Sequence, residues 1–281
     1  APIYPAYVRV VDANGNVVIK QDDRGHNAYD FGIPSNDYGL NRPFMSTANP
    51  LAANQYDVLE NGGDQLNATF TADVNITSFL KANVTSTVNW GQTNYSNYSN
   101  PFYGSKVGVN GEINKQSTSA LRTNNVQTLT YFQDFDRHSV NVMVGHEYYK
   151  TTTKFLGAIA QGGFSPSIPE IDAFAKISDA SSYKSGYNVE GYFGSAQYNY
   201  DQRYFASASF RRDASSYFAK ENRWGNFPGV SVGWNLHKES FLNKSQIINT
   251  FKLRASYGEN GNVGGIGAYA LQGSYGGGKY D

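Results

Sequence analysis

The sequence predicts an all-β chain, about eight strands of a large antiparallel transmembrane β-barrel with short periplasmic turns and long extracellular loops. Three observations carry this. Apolar residues recur at every second position over several stretches, so one face of each strand is greasy and the other wet. The joins between these stretches alternate strictly between short and long, the asymmetry of a barrel whose work is done on one side of a membrane. No apolar run approaches the roughly 18 residues of a membrane helix, which leaves the barrel open because its signal is alternation and not mean hydropathy.

Composition narrows the classes. The 281 residues have room for one large β domain or two smaller ones. The 23 basic and 23 acidic residues cancel, so no field for nucleic acid is implied. Cysteine is absent, which excludes disulfides, zinc-thiolate centres and cysteine nucleophiles. With 22 tyrosines, 29 glycines and only 2 methionines, strands and turns are favoured over packed helices. No signal peptide pattern opens the chain, and Ala1-Pro2-Ile3-Tyr4 reads as a start in mid-protein.

Residues 1–66 read as a long extracellular loop holding one small hairpin, Tyr7–Val10 and Val17–Ile19 about Asn14-Gly15, whose residues tolerate positive φ. Turn formers from Asp22 to Pro50, with Pro34 and Pro43 among them, break any strand there. Residues 67–258 carry the eight barrel strands. Asn67–Trp90 holds the first two: Ala68, Phe70, Ala72, Val74 and Ile76 alternate with Thr69, Thr71, Asp73 and Asn75, then turn near Thr77-Ser78. In the return strand Leu80, Ala82, Val84, Val88 and Trp90 repeat the pattern, broken only by Ser86. The wet face is Asn and Thr more than charge, as a crowded aqueous lumen prefers. After a loop from Gln92 to Leu121, Thr123–Gln133 and His138–Thr153 form the next pair around Asp134–Arg137. A third loop, 154–186, leads to the hairpin Asn188–Asp213, which turns at Asp201-Gln202 with three tyrosines crowding the turn. Val230, Val232, Trp234 and Leu236 mark the seventh strand. Lys238–Asn249 is expected to make a helical turn with Phe241, Leu242, Ile247 and Ile248 as its apolar side, and Phe251–Tyr257 is the eighth strand. The Gly-rich end, 259–281, is again loop.

Four stretches resemble the SusC/RagA branch of TonB-dependent outer-membrane transporters: GHEYYK (Gly145–Lys150), the run Glu190–Phe218, the run Glu221–Leu242 and FKLRASYGENGN (Phe251–Asn262). They are long and ordered, with one local departure at Pro228-Gly229, and the likeness covers residues 1 to about 262. The resemblance implies a bacterial outer-membrane importer driven through the TonB complex, with a moving plug, a SusD-like surface lipoprotein and oligosaccharide or oligopeptide cargo. It implies no covalent chemistry and no cofactor. Such a barrel has about 22 strands, and eight alone would leave two open edges, which lipid does not tolerate. The chain is therefore expected to be an internal part of a longer one whose plug and TonB-contacting segment lie elsewhere. Two other readings share the strands: a passive porin or adhesin barrel, and a soluble β-rich carbohydrate-binding or hydrolytic domain.

Several residues stand out as candidates. Tyr95, Tyr98, Phe102 and Tyr103, beside amides such as Asn100, offer flat faces and hydrogen-bonding groups to sugar rings or extended peptides. Arg211, Asp213, Lys252 and Arg254 fall on the wet parity and are expected to face the lumen and plug. Lys150 and Arg212 fall on the lipid parity near the outer strand ends, where a cation sits among headgroups and meets lipopolysaccharide phosphates. Other motifs read blandly. Gly265–Ala270 fits G-x-G-x-x-A but lacks the strand and helix of a dinucleotide site. Asn67, Asn75, Asn83, Asn94, Asn97 and Asn243 begin N-x-S/T triplets explained by lumen composition. His26, His138, His146 and His237 lack metal-ligand spacing, and Glu147, Glu190 and Asp213 sit on different strands with no cleft to make them a glycosidase pair.

Overall fold

A computed structural model of the chain describes residues 5–22, 25–31, 49–102, 104–165, 167–242 and 247–262. Tyr103, Asn243 and the Gly265–Ala270 motif lie outside them. The described chain divides into two compact units, the first drawn from residues 1–64, 92–119 and 154–183, the second from 65–91, 120–153 and 184–281.

In the first unit, β1 (Arg9–Val11) pairs antiparallel with β2 (Val17–Ile19), as the Asn14-Gly15 signal predicts. Gly15 adopts φ +82°, and the Asp12 carboxylate accepts from the Asn14 and Asn16 N–H groups at 2.9 and 2.8 Å. Helix α1 (Pro50–Tyr56) stands where the sequence suggests only loop. Its start is encoded by two residues: Pro50 pre-sets φ, and the Asn49 side chain accepts from the Leu51 and Ala52 N–H groups. The Asn49 amide also donates to the carbonyls of Ala6 and Asp30 at 2.9 Å, which ties the helix to the hairpin segment. A small core of Tyr98, Ile113, Ala160 and Phe174 completes the unit.

Eight strands form one sheet whose spatial order is their order in the chain: β3 (Val58–Asn75), β4 (Leu80–Ser99), β5 (Glu112–Phe135), β6 (His138–Gly163), β7 (Phe174–Tyr200), β8 (Tyr204–Ser215), β9 (Trp224–Asn235) and β10 (Lys252–Gly258). This is the open antiparallel meander of a barrel wall. The tight turns fall where expected, with Asp136, Asp201 and Gln202 at φ near +53°.

The expected loops are much shorter than the alternation suggests. β4 continues to Ser99 and β5 begins at Glu112, so the 92–121 loop shrinks to its middle. β6 and β7 likewise consume most of 154–186, and β3 begins at Val58, nine residues before its predicted start at Asn67. Strands of 24 to 27 residues far exceed the roughly 9–11 needed to cross a bilayer. Of the helical turn expected over 238–249, positions 243–246 lie outside the described residues; among the described ones a 3-10 turn occupies Leu236–Lys238, and Phe241 and Ile247 are 68% and 93% exposed.

In the second unit, register assigns every side chain to a face. Tyr204, Ala206, Ala208 and Phe210 stand opposite Trp234, Val232, Val230 and Pro228, and Leu253, Ala255 and Tyr257 continue that row on β10. This row is exposed, as are Phe70, Val74 and Val84 on β3 and β4. The opposite face is polar and bonded to itself. Thr69 meets Thr87 at 3.2 Å, Asn83 donates to Asp73 at 3.1 Å, Lys81 pairs with Asp73 at 2.9 Å, and the Ser207 and Ser231 hydroxyls lie 2.7 Å apart.

Two aromatic tiers bracket the apolar row. Near the short turns Phe135 stacks on His138, which meets Tyr200, and the stack passes through Tyr204 to Trp234. Toward the other strand end His146, Tyr192 and Trp224 are in contact. Tyr192 and Tyr200 are eight residues apart on β7, about 26 Å of strand. A tilt of about 40° reduces that to ~20 Å of height, close to the apolar band of an outer-membrane barrel with its two girdles.

Candidate functional site

The wet face of β6–β8 carries a charge cluster. Arg211 donates from Nη2 to Glu147 Oε2 at 2.7 Å and from Nε to Asp213 Oδ2 at 2.8 Å, and its guanidinium lies 5.4 Å from the Phe193 ring centre. Asp213 Oδ1 is buried without a hydrogen-bond partner among the described residues, packed over Gly191 of the neighbouring strand. Lys252 sits 4.4 Å from the Phe205 ring centre on the same face, and register places Arg254 opposite Gly233 in that row. Arg211, Asp213, Lys252 and Arg254 thus share one face, although only the first two touch.

A cleft of about 1010 Å³ opens in the first unit. Glu60, Asp64, Asn94, Tyr95, Lys115 and Gln116 supply its functional groups, and the side-chain-free Gly62-Gly63 pair leaves it open. Ser117 donates to Asn94 at 2.9 Å, and Gln92 to Asn94 at 3.2 Å, which orients the amides on the β4 wall. Lys115 is held by Glu170 at 2.5 Å, so among the described residues the uncompensated charge of the lining is the Glu60 and Asp64 carboxylates. The arrangement suits a hydrogen-bonding ligand with a flat or cationic part, laid against Tyr95. Nearby, Glu112 is partly desolvated, which raises its pKa, but its bonds to Lys106 and Gln161 outweigh this and hold the carboxyl below the usual range.

The predicted aromatic cluster is divided by the fold. Tyr95 lines the cleft. Tyr98 does not: it is 3% exposed and packs edge-on against Phe174 at 6.2 Å. Burial, and then the Asp57 charge, push its hydroxyl pKa up. Asn100 is equally buried, because its backbone and side-chain N–H groups donate to Asp57 at 2.9 and 2.6 Å. Phe102 packs on Tyr56 at 6.2 Å. Tyr98, Asn100 and Phe102 are therefore structural in this chain and not an open platform. Glu60, Asp64 and Lys115 had no sequence signal of their own, since they fall in stretches read as loop.

On the apolar face Arg212 lies 5.2 Å from the Trp224 ring centre, level with Tyr192 in the register. Lys150 is exposed but four residues further along β6 than His146, which touches Tyr192, so the two predicted rim cations stand at different heights.

The family model for the TonB-dependent receptor-like β-barrel matches residues 11–280. The chain belongs to that family. It is 30% identical over 84% of its length to TonB-dependent receptor P3 of Formosa agariphila, of which it covers 24%. It is 36% identical over 97 residues to TonB-dependent receptor SusC of Bacteroides thetaiotaomicron, covering 34% of this chain and 10% of that one. Among solved structures it superposes on the RagAB peptide transporter with a TM-score of 0.71 at 23% identity, over 84% of this chain and 26% of that one, and on the same importer in its "open-open" state with a TM-score of 0.70 at 20% identity, over 83% and 26%. The chain spans about a quarter of the length of these full relatives. That family is one of TonB-dependent receptors and transporters, not of enzymes. Membership also sets aside the soluble reading, and the exposed apolar row becomes the lipid-facing wall.

Proposed function

We propose that this barrel wall serves an outer-membrane transporter that imports oligosaccharides or oligopeptides, powered through the TonB complex and working with a SusD-like surface lipoprotein. The observation that carries the reading is the lipid-facing row set between two aromatic tiers, backed by a self-bonded polar wall, in a chain of this family. The relatives named SusC and RagAB support the importer class and the lipoprotein partner. In this reading the Arg211–Asp213 pair braces the plug, and Lys252 and Arg254 line the same passage. The cleft around Tyr95 contributes to cargo contact, and its two free carboxylates favour cargo with cationic groups, which leans toward peptides.

Uptake tests this directly. Cells making the protein should concentrate labelled oligopeptides or oligosaccharides, and a protonophore should abolish the accumulation. Uptake that merely equilibrates and ignores the protonophore would indicate a passive pore and sink the proposal.

A further inference from the structure

The lipid-facing wall is not uniform. Between β6, β7 and β8 it is hollowed into a groove of about 820 Å³. The floor is Gly194, Ala196 and Ala208, with Ala196 directly opposite Ala208 in the register. Val142 and Val144 form one flank, and Phe210 stands on the other. Tyr192, Trp224 and Arg212 close one end. That end is nine residues along β8 from the Asp201–Arg203 turn, and so on the long-loop side that barrels turn to the exterior.

We infer that the groove holds an acyl chain of lipopolysaccharide, with a phosphate of its lipid A headgroup bound by Arg212. Two physical points select this occupant. A lipid tail gains little hydrophobic free energy by leaving other tails, so a fixed lipid needs shape fit and a polar anchor. The groove supplies the fit and Arg212 the anchor. Its guanidinium is fixed over Trp224, and no carboxylate pairs with it among the described residues. A preorganised guanidinium with free N–H groups binds phosphate bidentately. Glu190, two residues from Tyr192 on the neighbouring strand, is already engaged by the Tyr192 hydroxyl at 2.8 Å and by His146 at 3.4 Å. The leaflet settles the source: a phosphate at the exterior headgroup level belongs to lipopolysaccharide, whereas glycerophospholipid lies in the opposite leaflet.

Native mass spectrometry of the protein purified from outer membranes tests this, with heat-modifiable electrophoretic migration as the check on folding. The wild type should carry about one lipid A-containing molecule through delipidation. Arg212→Ala should cut that occupancy by about fivefold or more, and Arg212→Lys should restore part of it. Ala208→Trp fills the floor with the cation intact and should lose the lipid as well. Retention of lipopolysaccharide by both Arg212→Ala and Ala208→Trp, or a glycerophospholipid bound in its place, would overturn the assignment.

Discussion

Arg211 reaches Glu147 at 2.7 Å across an intervening strand, because its guanidinium passes over Gly191, the β7 residue opposite Asp213. A Cβ at Gly191 would collide with Asp213 Oδ1 and lie 2.7 Å from Arg211 Nη2. Three strands are thus stitched through a position that has room only for hydrogen.

Gly191→Val should therefore do more damage than removing the acid it spans. The expected cost is about 2 kcal/mol for Gly191→Val, from a forced rearrangement of Arg211 and Asp213. Glu147→Gln should cost only about 0.5–1 kcal/mol, since Arg211 is about a third exposed and solvent screens the pair. Urea unfolding of the lipid-reconstituted protein checks the ranking, and equal midpoints for the two variants would refute it.

Tyr95 and Tyr98, three residues apart, should separate function from stability. Tyr98→Ala empties a packed site and should cost about 3–4 kcal/mol, within the range for large aromatic truncations. Tyr95→Ala should leave unfolding nearly unchanged and weaken cargo binding about tenfold, or ~1.4 kcal/mol. Calorimetric titration with cargo, beside thermal unfolding, reads both. A stability loss at Tyr95 as large as that at Tyr98 would remove Tyr95 from the cargo surface.

Glu239 links two members of the aromatic tier near the short turns: it accepts from the Trp234 indole at 2.9 Å and the Tyr204 hydroxyl at 2.8 Å. Those two bonds, the indole's first, hold its carboxyl below the usual range. A depressed folded pKa means its contribution is intact above the unfolded value of about 4.3 and is lost as pH falls through the folded one. Trp234 fluorescence should stay constant from pH 7 to 5 and change only below about 4, and Glu239→Gln should remove that step. A transition near pH 6 would assign the change elsewhere.

Asp12 offers a parallel case in the β1–β2 hairpin. The Asn16 N–H, followed by that of Asn14, holds its carboxyl below the usual range, while partial desolvation opposes them. By the same sign, hairpin order is fullest at neutral pH and declines as pH drops through the folded value. Gly15→Val, at φ +82°, should cost about 1–2 kcal/mol at any pH. Hydrogen exchange of the Asp12 and Lys20 amides, which donate across the hairpin to Asn16 and Val8, follows both effects, and pH-independent protection in the wild type would exclude the Asp12 role.

Much of the wall was legible in the sequence because lipid demands an apolar side chain at every second position. Phe70, Val74 and Val84 announce themselves for that reason, and their register follows. Where β4 runs on from Gln92 to Ser99 that demand lapses. Polar residues such as Asn94, which accepts from Ser117 and Gln92, stand there instead, and the alternation disappears although the strand continues. Helix α1 was missed for another reason. Its seven residues are too few for a periodic signal, and its marker, Asn49-Pro50, also reads as a turn. The cleft was out of reach because Glu60, Asn94, Lys115 and Leu156 come from four strands and meet only through pairing.

The monotonic strand order has a bearing on assembly. Every strand finds its partners among its immediate predecessors and successors, so no segment must await a distant stretch of chain before its backbone groups are matched. Such a wall can grow by successive hairpins, each newly laid edge acting as the template for the next.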